Sequence, residues 1–193
     1  MTDAVTRCPW CIGNTDYVDY HDKVWGVPVR DDRELFEFLT LEGFQAGVSW
    51  IMILKKQKNF QRAFDNFDIE KVANYGPDKV EELLQDAGII RNRSKIEAAV
   101  TNAQAVLRIQ REYGSLSQFL WKYVDNVPIV NAYKNMSEVP AKTELSTRLS
   151  KEFKKQGIKY MGPVTTYAFM QAMGMVNNHL VDCDRWATVQ ELA

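Results

Sequence analysis

A chain of 193 residues is long enough for one domain or two small lobes, and 46% hydrophobic residues suffice for a sizeable core. A net charge of −1 excludes a nucleic-acid binder recognisable from composition alone, and no stretch approaches the roughly 20 apolar residues that a bilayer span needs. Three cysteines, an odd count, argue against a disulfide framework. The opening MTDAVTRCPW lacks the apolar segment of a signal peptide, so a cytoplasmic protein with no membrane partner is expected.

In chain order, Tyr17, Tyr20 and His21 stand at helical spacing, with Trp25 one turn further. DDRELFEFLTLEG reads as a helix capped by Asp31 or Asp32 and ended or bent at Gly43. VSWIMILKKQKNFQRAF is a second helix, DIEKVANY a short third, and PDKVEELLQDAG a fourth with Pro77 in its first turn. RNRSKIEAAVTNAQAVLRIQREYG runs about six turns, with Ile96, Val100, Ala103 and Leu107 on one stripe. SLSQFLWKYV, ELSTRLSKEFKKQG and PVTTYAFMQAMG are three more helices. Strand alternation is scarce, VPIV is too short to stand as a strand, and residues 125–141 read as a long connection. The fold class is all-α.

Charge is unevenly spread. Residues 16–42 carry eight acids against three bases, whereas KKQKNFQR (55–62) carries four bases and no acid. Residues 91–111 and 142–159 each carry a net +4. Solvated helix faces account for such runs, and basic patches on a near-neutral chain also form phosphate-binding surfaces.

Three groups of residues carry possible chemistry. Cys8 and His21 near one end, and His179 and Cys183 near the other, use both histidines of the chain; the H-x3-C spacing puts one pair on one helical turn. Four such ligands suit a closed zinc site, although CPWC leaves Cys11 as an alternative ligand and inert thiols as the plain reading. LLQDAGIIRNRSKI reads as a helix, a tight turn at Gly88 and a basic helix start. Backbone N–H groups and a helix N-terminus would grip phosphate there without reading sequence, with Gly88, Ile90, Arg91, Arg93 and Lys95 as the candidate residues. Glu42 follows Leu35, Phe38 and Leu39 by seven, four and three residues, so a carboxylate is aimed at the apolar interior. Near it, Tyr17, Tyr20 and Trp50 are either core aromatics or the walls of a stacking pocket.

CPW, YVDYHDKVWGVP, LFEFLTLEGFQAGVSWIMILKKQKNF, LLQDAGIIRNRSKI, YMGPVTTYAFMQAMGMVNNH and Cys183 together resemble the 3-methyladenine DNA glycosylase I family, within the helix-hairpin-helix glycosylases, from about Cys8 to Cys183. The resemblance implies a single domain of two helical lobes, the terminal lobe about 1–30 and 140–193 and the hairpin lobe about 31–139. It implies a structural Zn2+ on Cys8, His21, His179 and Cys183 that joins the chain ends, with Cys11 spare. It implies hydrolysis of the N-glycosidic bond of 3-methyladenine in alkylated double-stranded DNA, releasing the free base and leaving an abasic site. Tyr17, Tyr20, Glu42 and Trp50 fall on the family's base pocket, with Glu42 and Tyr20 catalytic, while Phe44 is bulkier than the family pattern. The superfamily's catalytic Asp after the hairpin is missing, as in this family, and Lys95 does not match the lyase lysine, so no strand cleavage is expected. A monomer is expected. The competing readings are a non-catalytic zinc-stapled hairpin module that binds DNA, and a glycosylase for other alkylated purines such as 7-methylguanine.

Overall fold

The computed structural model describes residues 5–192. Ten α-helices lie among these residues: α1 Thr15–Lys23, α2 Asp32–Gln45, α3 Trp50–Ala63, α4 Ile69–Ala73, α5 Pro77–Gln85, α6 Arg93–Tyr113, α7 Leu116–Trp121, α8 Glu144–Lys155, α9 Pro163–Ala172 and α10 Asp184–Thr188. Among the described residues, no helix is long and apolar enough to cross a membrane. Side-chain caps set many of the starts. Asn14, Asp31, Asp68, Asn92 and Ser115 each accept from backbone N–H groups of the following turn, and Thr143 forms a capping box with Ser146. The expected helices are present with ends shifted by a few residues. Helix α2 does not stop at Gly43. A Cβ at Gly43 would lie 3.4 Å from Tyr160 Cβ, so α2 packs closely on the segment before α9 at this point.

VPIV does contribute a strand. Ile129–Val130 pairs in parallel with Val176–Asn177, a two-residue ribbon made by segments far apart in the chain. The expectation of none failed because its partner is tertiary and local alternation carries no trace of it.

One continuous apolar core runs from α2 through α9, with Trp121, Tyr167, Phe36, Phe44, Phe60 and Phe64 fully buried. Helix α6 packs on α4 and α2, and α9 packs on α2 and α8. Asp32, at the head of α2, accepts from Leu116 N–H, Ser117 N–H and Gln110, which fixes the start of α7. The two chain ends meet: Asp184 N–H donates to the Thr6 carbonyl, and Thr6 N–H to the Asp184 carboxylate. The segment after α1 crosses the end of α9 through Gly26 N–H to Gln171 and Val29 N–H to Met173. Gly174, at φ +74°, is required at that crossing, because a Cβ would lie 2.3 Å from the Val27 backbone.

Candidate active site

The last turns of α2 carry the site. Glu42 is 4% exposed, and its carboxyl group makes no hydrogen bond among the described residues. Burial alone pushes its pKa up to about 8. It opens onto a cavity of about 400 Å³ walled by Trp10, Tyr20, Trp25 and Trp50, with Gln45 at one side and Gln171 at another. A larger depression of about 420 Å³ along α8 has only exposed and half-buried lining, and none of the aromatic residues.

The aromatic wall is interlocked. The Tyr20 and Trp50 rings lie 5.5 Å apart, and Trp10 stands edge-on to Trp25 at 5.1 Å. The Tyr20 hydroxyl has no partner among the described residues, and burial beside Glu42 raises its pKa. Trp50 Nε1 is a buried donor without an acceptor. An acid and a phenol therefore border one apolar cavity with their hydrogen-bonding capacity unused, and the indole N–H of the neighbouring Trp50 is also unpaired among the described residues, where buried polar groups are ordinarily paired. The arrangement suits a flat, aromatic, positively charged guest with polar edges.

Tyr17 was expected in the pocket and is not part of its lining. Its hydroxyl accepts from Ile51 N–H at 3.1 Å, satisfying one of the free donors at the start of α3. Phe44 also faces away. It packs on Phe60 and Phe64 at 4.8 and 5.9 Å, so its bulk fills the core and leaves the cavity unaltered. Gln45, Met136, Val164, Ala168 and Gln171 line the cavity without having been singled out in the sequence. The last three recur at helical spacing on α9, a signal that a face exists but not of what it faces.

Beside the aromatic wall, Cys8, His21, His179 and Cys183 are all buried, and their ligand atoms lie within 4.8 Å of one another. His21 Nδ1 meets Asp22 at 2.8 Å, and His179 Nε2 meets the Trp25 carbonyl at 3.0 Å. The remaining ring nitrogens turn to the thiols, with Cys183 Sγ 3.5 Å from His21 Nε2 and 3.6 Å from His179 Nδ1. The hydrogen bond with Cys8 and the two imidazoles favour the Cys183 thiolate, while that same bond and burial hold Cys8 protonated. Outer partners that orient imidazoles in this way are the usual support of a metal ligand set. Cys11 is outside the group, its thiol donating to the Cys8 carbonyl at 3.1 Å, so the CPWC chelate is not formed.

The hairpin lies between α5 and α6. Gly88 N–H, expected to be free for phosphate, is bonded to the Asp86 carboxylate at 2.7 Å. A Cβ at Gly88 would meet the same carboxylate at 2.8 Å and Asn59 Cβ at 3.2 Å, so a side chain there would displace the Asp86 carboxylate from the turn. Lys56 and Asn59 of α3 donate to the Gly88 carbonyl, and Lys56 also to Ala87. Ile90 and Arg91 N–H groups have no partner among the described residues, and Arg91 is exposed. Arg93 pairs with Glu81 at 2.6 Å. Lys95 is the clearest departure from expectation. It is 8% exposed, and its ammonium donates to the Phe44 and Ala46 carbonyls, so it is turned away from any phosphate.

Residues 10–186 match the family model described as methyladenine glycosylase. The chain is 47% identical over 178 residues to a DNA-3-methyladenine glycosylase of Haemophilus influenzae, covering 92% of this chain and 96% of that protein. It is 46% identical over 177 residues to DNA-3-methyladenine glycosylase 1 of Escherichia coli, covering 92% and 95%. The solved structure of 3-methyladenine DNA glycosylase I from Staphylococcus aureus, a study of 3-methyladenine recognition, superposes with a TM-score of 0.90 at 40% identity over 94% of this chain and 96% of that one.

Proposed function

This chain belongs to the methyladenine glycosylase family and is a DNA-repair glycosylase, and on that premise we propose that it excises 3-methyladenine from alkylated duplex DNA by simple hydrolysis. The observation that carries the reading is Glu42, a buried carboxyl group without a partner in a cavity walled by aromatic rings.

Extruding a base from the stack costs a few kcal/mol. N3-methylation fixes a positive charge on the adenine ring. A carboxylate in a cavity of low dielectric attracts that cation far more strongly than it would in water, which offsets the cost of extrusion for the damaged base alone. Trp50 and Tyr20 add π-faces to a cationic ring. With a pKa of about 8, the free enzyme holds Glu42 protonated at neutral pH. The incoming cation displaces that proton, so the fully charged pair forms only with the correct guest, and affinity for the cation rises with pH towards 8. Breaking the C1′–N9 bond sends its electron pair onto the purine, which leaves as the neutral base. The sugar becomes oxocarbenium-like, water adds at C1′ and loses a proton, and an abasic site remains. A cationic leaving group reduces the need for a general acid, and with no Asp after the hairpin to stabilise the sugar cation, binding of the charged base supplies most of the rate in this reading.

Ile90 and Arg91 N–H groups and the Arg91 side chain hold the DNA backbone in this reading. Strand cleavage is not expected, because the one amine in the hairpin's second helix that is near the site, Lys95, is occupied by two carbonyls. Cys8, His21, His179 and Cys183 fit zinc by donor chemistry and by their outer partners. The metal would supply a cross-link between the chain ends, four protein ligands leaving no open coordination position. The contact of Trp10 with both His21 and Tyr20 passes that rigidity to the cavity wall.

The test is identification of the bases released from methylated duplex by the purified protein. Free 3-methyladenine in excess of any other base is the expected product. Release of 7-methylguanine in preference, or of no base, contradicts the proposal.

A further inference from the structure

Lys95 is the third residue of α6. A cation in the first turn of a helix sits at the wrong end of the dipole, and a lysine is seldom buried without reason. Here the ammonium is buried and donates to the carbonyls of Phe44, at 2.9 Å, and Ala46. Those are free carbonyls at the end of α2, where a cation is favoured and where partners are otherwise lacking. The same turn of α2 contains Glu42 and Gln45, both on the cavity. Ile90 and Arg91 come just before Asn92, the N-cap of α6, and their N–H groups are unpaired among the described residues. Lys95 therefore spans the gap between the hairpin and the carboxyl-bearing turn through one side chain. The hairpin side of the span is itself fixed: Ser94 meets Tyr160 at 2.6 Å, and Asn92 caps α6 through Lys95 N–H.

We propose that Lys95 is a positioning residue that couples the hairpin's hold on the DNA backbone to the placement of Glu42, so that backbone engagement and base capture act together. The proposal rests on the glycosylase reading. Each half keeps its own framework without the ammonium: the turn through Asp86, Lys56 and Asn59, and the cavity through its aromatic wall. Loss of the clamp leaves each half competent alone and mispositioned relative to the other, and displacements of about 1 Å are enough to cost up to about a hundredfold in rate.

The test compares wild-type protein with Lys95→Met and Lys95→Arg in three measurements: affinity for undamaged duplex, affinity for free 3-methyladenine, and single-turnover excision from methylated duplex. Lys95→Met is expected to bind both isolated partners as wild type does and to excise at least about tenfold more slowly. Lys95→Arg, which keeps a cation with several donors, is expected to recover most of the rate. Wild-type excision by Lys95→Met overturns the proposal, as does a loss of rate matched by an equal loss in either binding measurement. If Lys95→Met does not fold, Lys95→Gln, able to reach one carbonyl, takes its place; a second unfolded variant shows that the ammonium serves stability alone and overturns the coupling role. Wild-type protein that releases no base overturns the glycosylase reading and the proposal together, whereas active wild type with an equally active Lys95→Met overturns the proposal alone.

Discussion

Two glutamates five residues apart on α2 are equally buried and opposite in character. Glu37 is 5% exposed, and its carboxylate accepts from Arg33 at 2.8 Å, Gln57 at 2.9 Å and Gln61 at 2.8 Å. Glu42 is 4% exposed and accepts from nothing among the described residues. Glu37 is a finished structural knot between α2 and α3. Glu42 keeps its full hydrogen-bonding and charge capacity, at a cost in stability, for a guest. Burial of a carboxylate is therefore no sign of function by itself; burial without a partner beside a cavity is.

Exchanging the acids for neutral residues separates the two roles most sharply. Glu42→Gln keeps the shape and removes the charge, and at an effective dielectric near 20 a contact pair is worth about 4 kcal/mol, roughly a thousandfold in kcat/KM. Single-turnover excision from methylated duplex reads that loss, and the protein should melt no lower than wild type. Glu37→Ala strands Arg33 and two half-buried amides, so urea unfolding should show a loss of about 3 kcal/mol, with excision per folded molecule unchanged. Equal effects of the two substitutions on both measurements would erase the distinction.

The pH dependence of stability sharpens the contrast further. Burial raises the Glu42 pKa from 4.5 in the unfolded chain to about 8 in the folded one. Between those values the folded state binds more protons than the unfolded state, so stability falls as pH rises. The cost is absent below 4.5, grows across the window and is complete above 8, reaching a few kcal/mol at about 1.4 kcal/mol per unit. The stability of Glu42→Gln relative to wild type should therefore increase between pH 5 and 8; a difference that stays flat there means that burial does not raise the Glu42 pKa. The smallest expected effect is that of Tyr17→Phe, which removes the acceptor for Ile51 N–H. It should cost about 1 kcal/mol in unfolding and leave base affinity unchanged, marking Tyr17 as part of the scaffold.

The direction of Glu42 was legible in the sequence because its offsets from Leu35, Phe38 and Leu39 share one helical face, and local periodicity fixes that face whatever packs on it. The Cys8, His21, His179 and Cys183 cluster was legible in part: both histidines of the chain belong to it, and it took the family resemblance to set Cys11 aside. The resemblance of YHDKVWGVP and the α2–α3 segment to a known family added the chemistry of the guest, which periodicity does not contain. What stayed hidden depends on contacts between distant segments. Glu37 looked like any charged residue on a helix because Gln57 and Gln61, its partners, lie on α3. Lys95 and Arg93 read as a basic patch, yet one ammonium is buried on α2 and one guanidinium pairs with Glu81 on α5. Tyr17 and Tyr20 share a helix and a residue type, and only the position of Ile51 shows which hydroxyl is taken. The same limit applies to the pairing of Ile129–Val130 with Val176–Asn177 and to the α9 residues on the cavity.

The central claim is that Glu42 recognises positive charge. It is tested most directly with two duplexes that differ only at the target base, one carrying cationic 3-methyladenine and the other its neutral 3-deaza isostere. The half-saturating concentration of the first in single-turnover excision is compared with the inhibition constant of the second, for wild type and Glu42→Gln. Wild type should favour the cation strongly, and Glu42→Gln should bind the two alike. A preference for the cation that survives in Glu42→Gln would contradict the account.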